Sequence, residues 1–171
     1  MTNIVLVGVP GAGKSTVGRL LAEQLNWSFI DTDELIEQRA GKAVSDIFIE
    51  DGEPAFRHLE EQVIAEAVTH PNSVLSLGGG ALGSQNTRRV LEGQIVVWLK
   101  TDLASAVARV GMNRNRPLLL GNVRGQLAEL MTAREPLYKQ AATLQVETSE
   151  LNAVQVVEYI LEQLPPRKGA S

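Results

Sequence analysis

The stretch Gly8–Ser15, GVPGAGKS, decides the fold of this chain. It has the pattern GxxxxGK[ST], and it lies between the β-rich run Ile4–Val7 and the amphipathic stretch Lys14–Leu25. In that context the glycines let backbone N–H groups surround a phosphate, and the helix N-terminus adds the positive end of its dipole. An ordinary glycine-rich turn is the structural alternative, and the correct flanks on both sides argue against it. We therefore predict that this stretch binds a nucleoside triphosphate.

Within this loop the residues have distinct predicted tasks. The Lys14 ammonium is expected to reach the outer phosphates, and the Ser15 hydroxyl is expected to take Mg²⁺. The predicted nucleotide-binding residues of the loop are Gly11, Ala12, Gly13, Lys14, Ser15 and Thr16.

Short apolar runs alternate with helical patterns along the rest of the chain. The predicted strands are Ile4–Val7, Ser28–Asp31, Val74–Leu77, Ile95–Leu99 and Leu144–Glu147, and the predicted helices are Lys14–Leu25, Pro54–Val68 and Asn152–Leu164. Most of the strands are apolar at consecutive positions, which is typical of parallel strands covered on both faces. This order predicts a doubly wound α/β fold whose ligands bind at the carboxyl ends of the strands.

Length and composition exclude several classes of protein. A chain of 171 residues suits one domain, predicted over 1–164 with a disordered tail over 165–171. Without cysteine there is no zinc ribbon, thiol nucleophile or iron–sulfur cluster. The net charge of −4 disfavours nucleic acid and anionic membranes as partners. No apolar run is long enough to span a membrane, and a phosphate loop stands where a signal peptide would be, so we expect a cytoplasmic protein. We also expect a monomer.

One long segment lacks any regular pattern. Between Ala108 and Gly125, glycine, asparagine, arginine and proline crowd around the short apolar patch Leu118–Leu120. An irregular segment of this length in a compact domain is usually a lid or a disordered loop. We predict a mobile lid at about 111–124, and it carries Arg116.

The second predicted strand ends in two carboxylates, Asp31 and Asp33. In an extended chain, residues two apart face the same way. One carboxylate is suited to holding the water shell of a magnesium ion, and the other to accepting a hydroxyl from an acceptor. The bland alternative is a turn with a helix N-cap before Glu34, because Asp is a good capping residue.

Three further groups of residues have both a functional and a bland interpretation. Arg57 lies off the apolar stripe of its predicted helix, so it is free to bind a ligand or to pair at the surface with Glu60 or Glu61. The triplet Gly78–Gly80 suits close approach of a ligand to the backbone, or is simply a flexible turn. Arg116 and Arg134, taken singly, are more often solvated than functional.

Together these residues resemble the shikimate kinase family of small P-loop kinases. The resemblance runs from about residue 4 to residue 138, and six motifs occur in the family's order. They are the GxxGxGKST loop, the DTD pair, GExxFRxxE, the GGG turn, RPLL and RxPLY. One departure lies in the turn before the last helix, where family members often carry proline and this chain has Asn152-Ala153.

The resemblance implies a three-layer α/β/α P-loop kinase fold with a central five-stranded parallel sheet and a mobile lid. It also implies ATP as co-substrate, Mg²⁺, and transfer of phosphate to the 3-hydroxyl of shikimate in aromatic amino-acid biosynthesis. The implied shikimate-binding and metal-organising residues are Asp33, Arg57, Gly79 and Arg134 for shikimate, with Asp31 holding Mg²⁺ through water. Lys14, Asp33 and Arg116 would be catalytic, and Arg109 and Arg116 would join the nucleotide site.

The charges agree with this assignment, although the residues alone leave two alternatives open. Lysine and arginine gathered around two aspartates make a locally positive site in a chain of net charge −4, which suits two anionic substrates. One alternative is a kinase for another small hydroxy acid such as gluconate. The other is a nucleotide-gated binding module without catalysis, against which intact Asp33 and Arg116 argue.

Overall fold

The computed structural model of the chain describes residues 2–111 and 123–164. Strands and helices alternate over most of this length. The strands are β1 (Ile4–Val7), β2 (Ser28–Asp31), β3 (Ser73–Ser76), β4 (Ile95–Lys100) and β5 (Leu144–Glu147). The helices are α1 (Lys14–Leu25), α2 (Thr32–Ala40), α3 (Val44–Glu50), α4 (Glu53–Ala67), α5 (Gln85–Val90), α6 (Leu103–Gly111), α7 (Val123–Ala141) and α8 (Ala153–Gln163), with a 3₁₀ turn at Ala81–Gly83.

The five strands form one parallel sheet in the order β2-β3-β1-β4-β5. β1 lies at the centre. From β1 the chain passes to β2 and β3 on one side of it, and from β3 it crosses to β4 and β5 on the other side. This reversal places the loop after β1 at the point where ligands bind in open α/β sheets. The predicted α/β fold with a five-stranded parallel sheet is confirmed.

Each face of the sheet is covered by helices, so alternate residues of every central strand enter different cores. From β1, Ile4 and Leu6 pack with α1 and α8, whereas Val5 and Val7 pack with α4 and α7. All four side chains are almost completely buried. This two-sided burial explains why the strand is apolar at consecutive positions.

Two smaller cores extend from these layers. Ile36 of α2, Ile47 of α3 and Phe56 of α4 share one of them, which anchors the helices next to β2. Ala106 of α6 and Leu127 of α7 belong to the other. The second core joins the two helices that border the undescribed residues 112–122.

The predicted elements agree with the structure to within a residue at each end, with several omissions. β3 and α4 each begin and end one residue earlier than expected, and β4 ends one residue later. Helices α2, α3, α5, α6 and α7 were not predicted. The irregular segment is also shorter than its composition suggested, because α6 continues to Gly111 and α7 begins at Val123. The remainder of the predicted lid and the predicted tail lie outside the described residues.

Within the described part of the chain, no helix has the combination of length and apolarity that crossing a membrane requires.

Candidate active site

The loop after β1 turns sharply into α1, and at Gly11 its backbone leaves no room for a side chain. Gly11 has φ +86°, and a Cβ on it would lie 2.7 Å from the carbonyl oxygen of Ala106. Gly13 is the N-cap of α1 and is also left-handed, with φ 92°. The loop therefore packs against α6 while the N-terminus of α1 faces the end of β1, which is the geometry of an anion site.

Two cations lie on this loop. The Lys14 ammonium donates to the carbonyl oxygens of Gly8, at 2.7 Å, and Val9, at 3.2 Å. Arg109 of α6 donates to the carbonyl oxygen of Gly11 at 3.0 Å. Arg109 was assigned to the nucleotide side from resemblance, and the structure brings it against the loop that is predicted to bind phosphate.

Asp31 and Ser15 meet beside the loop. The Ser15 hydroxyl lies 3.3 Å from Oδ2 of Asp31, and Oδ1 of Asp31 accepts hydrogen bonds from the backbone N–H groups of Asp33 and Glu34. Asp31 thus caps α2 and faces Ser15 at the same time. One hydroxyl and one carboxylate fit Mg²⁺, which keeps several waters and takes its other ligands from phosphates. Across residues 2–111 and 123–164, no group of three or more His, Asp or Glu side chains offers a complete protein cage for a metal.

Asp33 does not extend β2, so the expectation that the two carboxylates face the same way in an extended chain is wrong. The chain becomes helical at Thr32, directly after Asp31, and Asp33 lies in the first turn of α2. Its carboxylate turns toward the glycine triplet, where a Cβ on Gly78 would lie 2.9 Å from Oδ1. The two aspartates consequently serve different places: Asp31 faces the phosphate loop, and Asp33 faces the turn after β3.

Both predicted carboxylate-binding arginines converge on that turn from different helices. A Cβ on Gly80 would lie 2.5 Å from Nη2 of Arg57, which comes from α4. A Cβ on Gly79 would lie 2.7 Å from Nη1 of Arg134, which comes from α7. Because glycine has no Cβ, both guanidinium groups can lie directly against the backbone of the turn, and a side chain at either position would displace the arginine beside it. The triplet forms a turn, and both arginines lie against it.

Glu60 is a buried carboxylate beside the glycine turn that the predicted site did not include. From the sequence it was considered as a surface partner for Arg57 and as the last residue of GExxFRxxE, without a role in the site, yet its side chain is 2% exposed. Arg57 donates to its Oε1 at 2.9 Å, and its Oε2 lies 3.2 Å from a Cβ placed on Gly78. Burial raises the pKa of Glu60, the hydrogen bond from Arg57 opposes that rise, and the nearby charge of Asp33 adds to it. The three-residue spacing from Arg57 was the available signal, and burial could not be seen in it.

The raised pKa of Glu60 predicts a pH-dependent contribution to stability. Because the folded state binds this proton more tightly than the unfolded state, the contribution is present below the ordinary value of 4.5 and is lost as pH rises through the folded pKa. We expect Glu60→Gln to lose this dependence. Urea unfolding at intervals from pH 4 to pH 7 should show the wild type losing stability relative to the variant as pH rises. A constant difference between the two proteins would contradict the assignment.

A cavity of about 510 Å³ opens beside the two arginines. Residues of α4, the glycine turn and α7 line it, among them Arg57, Gly79, Gly80, Arg134 and Tyr138. Its place next to the phosphate loop is shown by Gly79, whose Cβ would lie 3.3 Å from Cδ of Pro10. The cavity and the loop after β1 thus adjoin at Gly79. Arg116, predicted to contact the phosphates, lies outside the described residues.

Comparisons with known proteins agree on one family. The shikimate kinase family model matches residues 10–165. The shikimate kinase of Thermobifida fusca is 53% identical over 161 residues, covering 94% of each chain. That of Mycobacterium avium is 48% identical over 162 residues, covering 94% of this chain and 92% of the relative.

Solved structures agree with these sequence relatives. The structure of shikimate kinase from Acinetobacter baumannii in complex with shikimate superposes with a TM-score of 0.90 at 39% identity, covering 95% of this chain and 92% of the other. The shikimate kinase of Bacteroides thetaiotaomicron gives a TM-score of 0.87 at 29% identity, covering 94% and 97%. With a full phosphate loop, two arginines at a glycine turn and relatives that match over nearly their whole length, this chain belongs to the shikimate kinase family.

Proposed function

We propose that this protein transfers the γ-phosphoryl group of ATP to the 3-hydroxyl of shikimate, giving shikimate 3-phosphate and ADP in aromatic amino-acid biosynthesis. The observation that carries the proposal is the convergence of Arg57 and Arg134 on Gly79 and Gly80, directly beside the phosphate loop. Two guanidinium groups suit a carboxylate, because each offers planar paired donors. An acceptor held there by its carboxylate lies next to the phosphate donor.

On the donor side, each residue of the loop has a task that its position supports. Lys14 neutralises the outer phosphates, and Arg109 holds the loop at Gly11 from the nucleotide side. Ser15 and Asp31 would hold Mg²⁺, Ser15 directly and Asp31 through water. When bound, the ion neutralises phosphate charge. The proposal also includes Arg116 at the transferring phosphate, on resemblance alone.

On the acceptor side, Asp33 and the arginines hold opposite ends of shikimate. Arg57 and Arg134 take the carboxylate, and Asp33 takes the reacting hydroxyl. Glu60 supports this arrangement, because its ion pair holds Arg57 against the glycine turn. Held at both ends, the acceptor presents one hydroxyl to the phosphate donor, and this positioning selects the 3-hydroxyl.

Positioning of the substrates contributes more to the chemical step than strong base catalysis does. The 3-hydroxyl oxygen forms a bond to the γ-phosphorus while the bond from that phosphorus to the β–γ bridging oxygen breaks, and the electron pair leaves with ADP. In the loose transition state the hydroxyl proton departs late, so Asp33 orients the nucleophile and finally accepts its proton. Lys14 stabilises the charge on the phosphoryl oxygens as the bond breaks.

An assay of ADP release tests the function. ATP and Mg²⁺ are supplied with shikimate, gluconate, nucleoside monophosphates or no acceptor in parallel reactions. We expect shikimate to stimulate ADP release far above the other three. Equal stimulation by gluconate would favour the hydroxy-acid kinase alternative, and no stimulation by any acceptor would favour the binding module.

Asp33→Asn tests the role of the acceptor-side carboxylate. The change keeps the size of the side chain and removes the charge that orients and accepts the proton. We expect kcat to fall about 10²-fold or more while nucleotide affinity is little changed. The measurement is steady-state kinetics together with ADP titration.

Asp46→Asn is the matched control, since Asp46 is an exposed aspartate in the first turn of another helix, α3. It should leave kcat unchanged. If Asp33→Asn also kept a near-normal kcat, Asp33 would have only a structural role in the first turn of α2.

Three broader properties complete the proposal. We propose that the enzyme acts as a monomer. We propose a cytoplasmic location, where ATP is available to it. The net charge of −4 supports small anionic substrates at a locally positive site, rather than nucleic acid, as its ligands.

A further inference from the structure

Tyr138 is a buried residue at the wall of the cavity beside Arg57 and Arg134, and it contacts the glycine turn. Its side chain is 2% exposed, and its hydroxyl donates to the carbonyl oxygen of Gly79 at 2.7 Å. This contact links residues 59 positions apart in the chain. A buried phenol normally needs such a partner, so the hydrogen bond satisfies the hydroxyl in the interior.

The tyrosine ring packs against a residue of the central sheet. Its centroid lies 5.8 Å from that of Trp98 in β4, with the rings inclined by 36°. Trp98 is paired in the sheet with Val7, the last residue of β1 before the phosphate loop. The ring that carries the hydroxyl therefore packs against the central strands of the sheet.

Arg134 lies one helical turn before Tyr138 on the same face of α7. Burial raises the pKa of Tyr138 to about 12, while the charge of Arg134 and a hydrogen bond with it act to lower that pKa. The hydroxyl hence stays protonated and keeps its donor role near neutral pH. The hydroxyl donates to the carbonyl of Gly79, and the Arg134 guanidinium lies against the same residue.

Gly79 is the residue at which the two halves of the active site meet. A Cβ on it would lie 2.7 Å from Nη1 of Arg134, 3.3 Å from Cδ of Pro10 and 3.7 Å from the carbonyl oxygen of Gly8. Because the peptide unit is planar, holding the Gly79 carbonyl also fixes the direction of the Gly80 N–H on the opposite side. A rotation of this peptide would alter the surface that the acceptor contacts.

We propose that Tyr138 is a positioning residue for the acceptor: its hydroxyl sets the Gly79 peptide and the Arg134 guanidinium in the arrangement that receives the carboxylate. This inference rests on the proposed function and assigns to it a residue that does not itself touch the substrate. It predicts an effect confined to the acceptor, since the phosphate loop keeps its own contacts.

Tyr138→Phe removes the hydroxyl and keeps the ring between Trp98 and the turn. We expect the KM for shikimate to rise about 5- to 30-fold, the range for one or two lost hydrogen bonds with a charged partner. The KM for ATP and the affinity for ADP should stay within about twofold. Tyr159→Phe is the matched control, because Tyr159 of α8 is 39% exposed and far from the cavity in the fold. It should behave as wild type.

A double-mutant cycle separates positioning from general loss of structure. If Tyr138 acts through Arg134, Tyr138→Phe should have little further effect on shikimate kcat/KM once Arg134 is alanine. Fully additive losses would overturn the proposal, and so would an unchanged KM for shikimate or equal rises in both KM values. Wild-type enzyme without shikimate-stimulated ADP release would instead refute the proposed function, so the two failures are distinguishable.

Discussion

Replacing Lys14 with alanine is expected to lower kcat by about 10³-fold or more. The ammonium is the cation of the loop itself, and it donates to Gly8 and Val9 at the very point where the outer phosphates are expected. Its removal leaves phosphate charge unneutralised at the step where the bond to the leaving group breaks. Steady-state kinetics with ATP and shikimate measure the loss.

Lys139→Ala is the control for this change, because Lys139 is an exposed lysine near the end of α7. It removes the same charge from the protein and should leave kcat near the wild-type value. Circular dichroism confirms that both variants are folded. Retention of more than about a tenth of wild-type kcat by Lys14→Ala would contradict the assignment of the loop.

Replacing Arg134 with alanine should lower kcat/KM for shikimate by about 30-fold to a few thousand-fold. The change leaves the acceptor carboxylate partly unpaired in a closed site, a loss of about 2–5 kcal/mol, and each factor of ten corresponds to about 1.4 kcal/mol. Arg134→Lys should restore only part of the activity, because an ammonium cannot reproduce the planar two-point contact. The position of Gly79 under the guanidinium supports this strict geometry.

The nucleotide provides the internal control for Arg134. ADP affinity measured without acceptor should stay within about threefold, since the guanidinium lies at the glycine turn and not on α1. Arg89→Ala, at an exposed arginine of α5, is the matched variant and should leave both substrates unaffected. If Arg134→Ala weakened ADP binding and spared the KM for shikimate, Arg134 would belong to the nucleotide site.

The phosphate loop and the strands could be predicted because their signals are local. The loop is a continuous stretch whose own glycines and N–H groups make the site, and β1, β2 and β5 coincide with the predicted runs. Consecutive apolar residues in a strand reveal burial on both faces without any knowledge of its neighbours. The helices α5 and α7 were not predicted, because α5 is short and polar and α7 combines weak periodicity with many polar residues, so tertiary packing has to stabilise them.

The carboxylates show where local reasoning fails. Asp31 and Asp33 were treated as extended neighbours, but the cap formed by Asp31 starts a helix between them and sends the two side chains to different places. For Glu60, the spacing from Arg57 was visible and its burial was not. An i,i+3 pair on a helix has the same sequence at the surface and in a core, and only the packing of α4 beside Gly78 distinguishes them.

Contiguous or regularly spaced residues therefore determined what could be predicted: the kind of chemistry, the class of fold and the family. Each such motif builds its geometry from its own backbone. The assembly of the site could not be predicted in this way, because it depends on contacts between distant parts of the chain. The strand order β2-β3-β1-β4-β5 places the turn after β3 beside the loop after β1, and α4 and α7 then bring Arg57 and Arg134 to it. The hydrogen bond from Tyr138 to Gly79 exists only in that arrangement, because the free energy that orients it comes from packing across the sheet and from no local propensity.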